Sequence, residues 1–211
     1  MSIPKIIHYC WFGGGPISAE SRRCMESWKK YCPDYKIMAW NEQNFDISTN
    51  RYAQQAYAAK KYAFVSDYVR LAVLYEYGGI YLDTDVELVR PLDELLEYKG
   101  FIGMEHSAPS PYGRTLLVNT GSGVGAEPGC GMIGKMLAAY RNAAFIQETG
   151  EPDLRTCTQR DTPLFTKAGL QQKNEQQELD GFLVLPTDCF SPFDYVTERM
   201  HRTPRTFGIH Y

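Results

Sequence analysis

The stretch Ala63-Phe64-Val65-Ser66-Asp67-Tyr68-Val69-Arg70-Leu71-Ala72-Val73-Leu74-Tyr75-Glu76-Tyr77-Gly78-Gly79-Ile80-Tyr81-Leu82-Asp83-Thr84-Asp85 changes periodicity part-way along. Apolar residues at Phe64, Val65, Val69, Ala72, Val73 and Tyr77 recur in steps of three and four, the spacing of a helix with one buried face. Ser66 and Asp67 are expected in its first turn, and Gly78-Gly79 supplies the stop. Ile80-Tyr81-Leu82 is then a short apolar run, predicted as a buried strand that ends in two carboxylates. Ten helical residues from Tyr77 back to Asp67 span about 15 Å. Four extended residues from Gly79 to Asp83 span about 13 Å. If the chain reverses at the glycines, Asp67 comes level with Asp83, and Arg70 shares the helix face with Asp67. Asp67, Arg70, Asp83 and Asp85 are thus predicted at one end of a strand, where ligands of open α/β sheets bind.

Within a regular strand, carboxylates at i and i+2 point to opposite faces. Where a strand gives way to a turn, both can reach one hard cation, and oxygen ligands suit magnesium or manganese. The alternative for the same residues is a surface ion pair between Asp67 and Arg70 beside a solvated acidic turn. Such a pair contributes only ~0–1 kcal/mol.

Residues 62–87 resemble the signature of the D-x-D sugar-transferase family, which includes capsular-polysaccharide glycosyltransferases and initiating mannosyltransferases of yeast-type glycans. They are similar, more distantly, to the glucosylating bacterial toxins. The likeness is dense there, supported at residues 3–13 and thin afterwards. It implies a Rossmann-like α/β nucleotide-diphosphosugar transferase fold of the single-domain A-type, with a mostly parallel central sheet and flanking helices. It also implies a manganese or magnesium ion on Asp83 and Asp85. Asp67 and Arg70 would bind ribose and sugar hydroxyls, Tyr81 would lie beside the sugar phosphate, and Ser66 stands with this donor-binding set. Trp11, near the end of the predicted strand Lys5–Phe12, would stack on the nucleotide base; a tryptophan capping the core at a strand end is the alternative. Asn119 falls in a region that shapes the sugar and acceptor pocket in relatives, and otherwise reads as a turn asparagine. The family carries a His near its end that closes over the donor diphosphate, which assigns His210 to the metal or diphosphate site. Retention of anomeric configuration is the family expectation.

The remaining chain is consistent with one domain, residues 1–211. Residues 1–118 form the nucleotide-sugar half, and 119–211 the acceptor-side and closing elements. Ser18 is predicted to cap a helix through Tyr31, and Tyr35–Trp40 to form a second strand, a β-α-β opening. A helix is expected over Arg51–Lys61, a short strand at Val86–Val89, and a helix from Pro91 through Tyr98. A strand follows at Phe101–Met104, with Glu105 and His106 at its end either facing the cleft or, on the plainer reading, in an exposed turn. Leu116–Val118 is expected to lead into a flexible polar loop at Asn119–Gly123. Cys130–Asn142 reads as an amphipathic helix. Asp161-Thr162-Pro163 is similar, loosely, to the family's Thr-Gly-Pro turn before a helix. His8 reads as a strand-packing histidine. Gln171–Asp180 reads as solvated, and Phe182–Pro186 as a late strand.

Composition excludes several classes. A formal charge of −3 over 211 residues gives no electrostatic reason to expect nucleic-acid binding. No window reaches the apolar length of a membrane span, and Met1–Lys5 leads into no signal-peptide core. Six cysteines without C-x-x-C spacing read as free thiols of a reducing compartment. A cytoplasmic protein is expected, with peripheral membrane contact through the basic stretch Arg199–Arg205 as an option.

The expected function is transfer of a hexose from a nucleotide sugar, UDP-sugar favoured, to a glycan or lipid-linked glycan acceptor in surface polysaccharide synthesis. One rival is a haloacid-dehalogenase-like phosphatase with Asp83 as the nucleophile, although that motif normally follows the first strand. The other is a catalytically silent nucleotide-sugar-binding module.

Overall fold

The computed structural model describes residues 2–211. The chain opens with β1 (Ile6–Cys10), α1 (Ala19–Tyr31) and β2 (Lys36–Trp40), and continues through α2 (Arg51–Ala58) into α3 (Tyr62–Tyr77). Next come β3 (Gly79–Tyr81), β4 (Val86–Leu88), β5 (Gly100–His106), β6 (Leu116–Ala126), α4 (Gly131–Ala139) and α5 (Cys157–Lys167). β7 (Gln177–Leu179), β8 (Phe182–Leu185), α6 (Thr187–Phe190), β9 (Phe193–Asp194), β10 (Arg199–Met200) and β11 (Gly208–His210) complete it.

Seven strands form one sheet in the order β2-β1-β3-β6-β5-β8-β7. β1 pairs in parallel with β2 and β3, and β5 in parallel with β8. β6 and β7 run against their neighbours, so five of the seven strands share one direction. Helix α3 is apolar on most of its surface because it lies between the sheet and helices α2 and α4, with Val65, Val69, Val73 and Leu74 fully or nearly fully buried. A second core on the opposite face gathers Ile3, Ile7, Trp28, Ile80, Leu82 and Phe101. Strands from both halves of the chain share this one sheet.

Several local expectations hold. The Ser18 hydroxyl caps α1 by accepting from the Ser21 amide at 3.0 Å, and Gly78 ends α3 at φ 64°, a left-handed conformation that suits glycine. His8 is fully buried between neighbours: Trp40 Nε1 donates to its Nδ1 at 3.0 Å, and its Nε2–H donates to the Gly78 carbonyl at 2.8 Å. Burial pushes its pKa down to about 4, which keeps the ring neutral in that tautomer. All six cysteines are free.

Others are corrected. Helix α3 begins at Tyr62, so Ser66 and Asp67 lie in its second turn, and Asp67 answers a neighbouring arginine rather than the helix dipole. The helix expected over Pro91–Tyr98 is a single 3-10 turn at Asp93–Leu95, because Leu92, Leu95 and Leu96 must all turn into the core. Asp161 stands inside α5, not in a turn before it; Thr156 and Gln159 form a capping box that starts the helix earlier. Asn119–Gly123 is no flexible loop but buried strand β6. Its register against β5 jumps from Val124 opposite Ile102 to Asn119 opposite Gly103, so Thr120–Gly123 bulge away from that partner.

One ring ties the late elements together. Phe190 stacks between Phe101 and Phe207, with ring centroids 5.9 and 5.6 Å away. It lies over Gly103, Gly123 and Gly208 of β5, β6 and β11, where a side chain would press on it.

Candidate active site

The two carboxylates of the D-x-D motif sit on the turn that follows β3. The Leu82 amide still bonds the His8 carbonyl of β1, and the Asp83 amide bonds the Gly121 carbonyl of the β6 bulge at 2.9 Å. The chain then turns, with the Val86 amide donating to the Asp83 carbonyl at 3.1 Å. Departure from strand geometry puts Asp83 and Asp85 on one side. β11 pairs antiparallel with β4 and sets His210 opposite Val86. Ligand atoms of Asp83, Asp85 and His210 all lie within 4.8 Å of one another.

Arg70 organises the buried side of this cluster. Its guanidinium lies 3.2 Å from Asp67 Oδ1 and 3.2 Å from Asp83 Oδ1. It donates to Thr120 Oγ1 at 3.1 Å and packs 4.8 Å from the Tyr81 ring centre. The Tyr81 hydroxyl donates to Asp83 Oδ1 at 2.8 Å. With two bonds on Oδ1, the other oxygen of Asp83 is held against Gly121, where even a methyl group would overlap it. The residues expected at one strand end from helix and strand lengths are therefore brought together.

Two carboxylates face one arginine here, and Asp85 adds a third, so the cluster carries excess negative charge. Burial opposes the charge on His210, but the adjacent Asp85 carboxylate and the nearby Asp83 and Glu105 outweigh it and raise the imidazole's pKa. Burial likewise opposes ionisation of Asp85, yet His210 holds its pKa below the usual value. His210 Nε2 approaches Asp85 Oδ1 at 3.4 Å without hydrogen-bond geometry, and that oxygen is buried with no donor. An orphaned carboxylate oxygen beside a second carboxylate and an imidazole fits a divalent cation. These three residues could hold one.

A second carboxylate layer lies deeper. Burial pushes Asp67 up to about 6, with Arg70 only partly offsetting it. Asp161, 1% exposed, is pushed up to about 7 by burial and by Asp67, and neither of its oxygens has a hydrogen-bond partner. Arg70 also reaches Cys157 Sγ at 3.6 Å, so α5 backs the site. Thr120 and Cys157 had no sequence signal, since both are ordinary residues made relevant by the β6 bulge and the α5 start.

The remaining candidates are placed as follows. Trp11 lies just past β1, at the same sheet end as Asp83, half-buried, with Nε1 donating to the Gly15 carbonyl at 2.7 Å. The Ser66 hydroxyl donates to the Tyr62 carbonyl at 3.1 Å within the helix. Asn119 is buried, accepting from the Gly121 amide at 2.7 Å and donating to Glu105 Oε2 at 2.6 Å, so it braces the bulge that carries Gly121. Glu105 is half-buried at the end of β5 and bonded to Asn119, the cleft-facing alternative rather than the exposed turn, because the longer strand carries it there. His106 is exposed.

Residues 18–102 match the family model described as a glycosyltransferase sugar-binding region containing a DXD motif. The fold and this motif resemble those of glycosyltransferases of the DXD type. Inositol phosphoceramide mannosyltransferase 3 of Schizosaccharomyces pombe is 34% identical over 131 residues, covering 55% of this chain and 33% of the relative. Mannosyl phosphorylinositol ceramide synthase SUR1 of Saccharomyces cerevisiae is 30% identical over 111 residues, covering 47% of this chain and 27% of the relative. The chain thus spans about a third of the length of the curated relatives it matches. Among solved structures, the PaToxG glycosyltransferase shares the fold with a TM-score of 0.54 and 24% identity, over 80% of this chain and 72% of that one.

Proposed function

We propose that this protein is a metal-dependent hexosyltransferase that moves a sugar from a nucleotide diphosphosugar, UDP-sugar favoured, to a glycan or lipid-linked acceptor with retention of configuration. The observation that carries the reading is the convergence of Asp83, Asp85 and His210 around an orphaned carboxylate oxygen, backed by the buried Arg70. A manganese or magnesium ion bound there supplies neutralisation of the diphosphate leaving group.

The protein's own contribution is positioning and fixed charge. Arg70, held by Asp67 and Asp83, presents its guanidinium beside the donor sugar. Tyr81 and Gly121 fix the Asp83 carboxylate in one orientation before ligand arrives. Trp11 covers the base at the sheet end. The names of the curated relatives speak of mannosyl transfer and inositol phosphoceramide, which supports a hexose donor and a lipid-linked acceptor over a capsular one. No helix among the described residues is long and apolar enough to cross a membrane. We place the reaction on the cytoplasmic side, with the basic stretch Arg199–Arg205 touching the membrane surface.

Titration calorimetry against UDP-, GDP- and dTDP-sugars, with and without manganese, tests this. Metal-dependent binding of one nucleotide class and release of free nucleoside diphosphate are expected, both lost in the Asp83→Asn/Asp85→Asn variant. Loss of turnover by 1,000-fold or more corresponds to about 4 kcal/mol of barrier. Binding that ignores both metal and the double substitution would sink the reading. Binding without any turnover would leave only the silent sugar-nucleotide module.

A further inference from the structure

Beyond His210 the surface opens into a cavity of about 600 Å³, within the size range of small-molecule sites. It lies between the end of β5, helix α6 and the β9–β10 hairpin, and shares His210 and Glu105 with the neighbourhood of the D-x-D cluster.

Its chemistry is that of a hydroxyl-binding site. Asp188, 7% exposed, spends Oδ2 on the Thr203 hydroxyl at 2.7 Å and Arg205 Nε at 2.6 Å, while its Oδ1 is buried without a partner. Ser191 Oγ on the same wall is also unpartnered. Buried polar atoms left unpaired are costly, and a ligand rich in hydroxyls would satisfy them. The arginines present do not call for an anion. Arg114 is paired with Asp194 at 2.8 Å and Arg205 with Asp188 at 2.6 Å. Tyr195, 64% exposed, lies edge-on to Phe193 and supplies an apolar ring face at the rim. Its hydroxyl reaches the His210 carbonyl at 3.4 Å, which joins the rim to the strand carrying the metal-ligand candidate.

We infer that this cavity is the acceptor site and that it takes an uncharged polyhydroxylated ring, a sugar or cyclitol. The inference rests on the glycosyltransferase reading above. Asp188 Oδ1 and Ser191 bind ring hydroxyls, Tyr195 covers one ring face, and Glu105 accepts from the hydroxyl nearest the donor. Glu105 suits that role because Asn119 donates to its Oε2 at 2.6 Å and its pairing with Leu117 of β6 fixes its position on β5.

Saturation-transfer NMR on the full chain with magnesium tests it, using myo-inositol and methyl α-mannopyranoside as probes. The titrations are run with and without bound UDP or GDP. Both rings should bind wild type, and Tyr195→Ala and Ser191→Ala should each weaken binding about fivefold or more. Tyr195 is exposed and Ser191→Ala removes only an unpartnered hydroxyl, so both variants retain the fold, which circular dichroism checks. Equal ring binding by wild type and both variants would place the rings elsewhere and overturn the inference, as would no ring binding by wild type. Inositol 1-phosphate binding tenfold more tightly than inositol, with the gain lost in Arg205→Gln, would make the site anionic and overturn it too. The UDP and GDP titrations report separately on the donor site: their failure removes the donor reading, while the ring titrations still decide the cavity.

Discussion

The two sides of this molecule that meet at His210 are built in opposite ways. On the donor side, Arg70 finds Asp67 within its own helix and Asp83 just past the next strand, and all three polar groups are mutually engaged. On the other side, Glu105 comes from β5, Asp188 and Ser191 from α6 and its C-cap, Tyr195 from the β9–β10 hairpin and Arg205 from the segment before β11, and Asp188 and Ser191 keep polar atoms without partners. The Arg70 triad is paired before any ligand binds, with the unsatisfied oxygens beside it on Asp85 and Asp161; across His210 the unsatisfied atoms belong to the cavity wall itself. Rigid charge placement is what leaving-group stabilisation needs, whereas unpaired hydroxyl-binding atoms suit a partner that comes and goes.

The comparison breaks most visibly at Arg70. Arg70→Leu strands Asp67 and Asp83 without their counter-charge, and breaking a buried pair in this way costs about 3–5 kcal/mol. Chemical denaturation should show that loss together with abolished nucleoside diphosphate release; a variant as stable as wild type would mean the donor side is not pre-built. Arg70→Lys keeps the charge but cannot reach Asp67, Asp83 and Thr120 together, so it should fall between the two.

A smaller effect is expected at Asp161. Its folded pKa is raised to about 7, against an unfolded value near 3.9. Between those values the native state keeps a proton that the unfolded chain releases, so stability falls as pH rises from about 4 to about 7. Asp67, raised to about 6, acts in the same sense. Asp161→Asn should flatten this slope, gaining about 2–3 kcal/mol over wild type between pH 5 and pH 8. Thermal unfolding across that range checks it, and parallel wild-type and variant curves would show that Asp161 titrates normally.

The smallest change sharpens the contrast. Gly121→Ala adds one methyl group where Asp83 Oδ2 already sits. Displacing a well-supported ligand in this way should weaken manganese binding about tenfold, measured by calorimetry, while a cavity-side substitution such as Ser191→Ala should leave manganese affinity where it was.

What could be read from the sequence follows the same division. The helix, glycine stop, strand and D-x-D of residues 63–85 are contiguous, so rise per residue alone brings Asp67 level with Asp83. The β-α-β opening and the buried histidine at position 8 were legible for similar reasons of local pattern. Asn119–Gly123 was not, because glycine and serine spell a loop locally, while pairing of the flanking residues with β3 and β5 and the Asp83 amide on the Gly121 carbonyl hold them as a buried bulge. The loose likeness of Asp161-Thr162-Pro163 to a Thr-Gly-Pro turn misleads, because the capping box at Thr156 starts the helix earlier and carries it through Pro163. Glu105 and the cavity it borders depend on contacts across about a hundred residues of chain, which no local spacing encodes.

Phe190, stacked between Phe101 and Phe207 over three glycines, has a consequence for how such a protein can change. The residue after it is Ser191, and Gly208 beneath it belongs to the strand that ends in His210. The wall that carries Ser191 and the strand that carries His210 therefore hang from a single hinge pin, and a substitution that shifts the pin moves the cavity and the carboxylate cluster together. Variation confined to the cavity rim has to be carried by the hairpin past Phe193, where residues 195–200 are exposed.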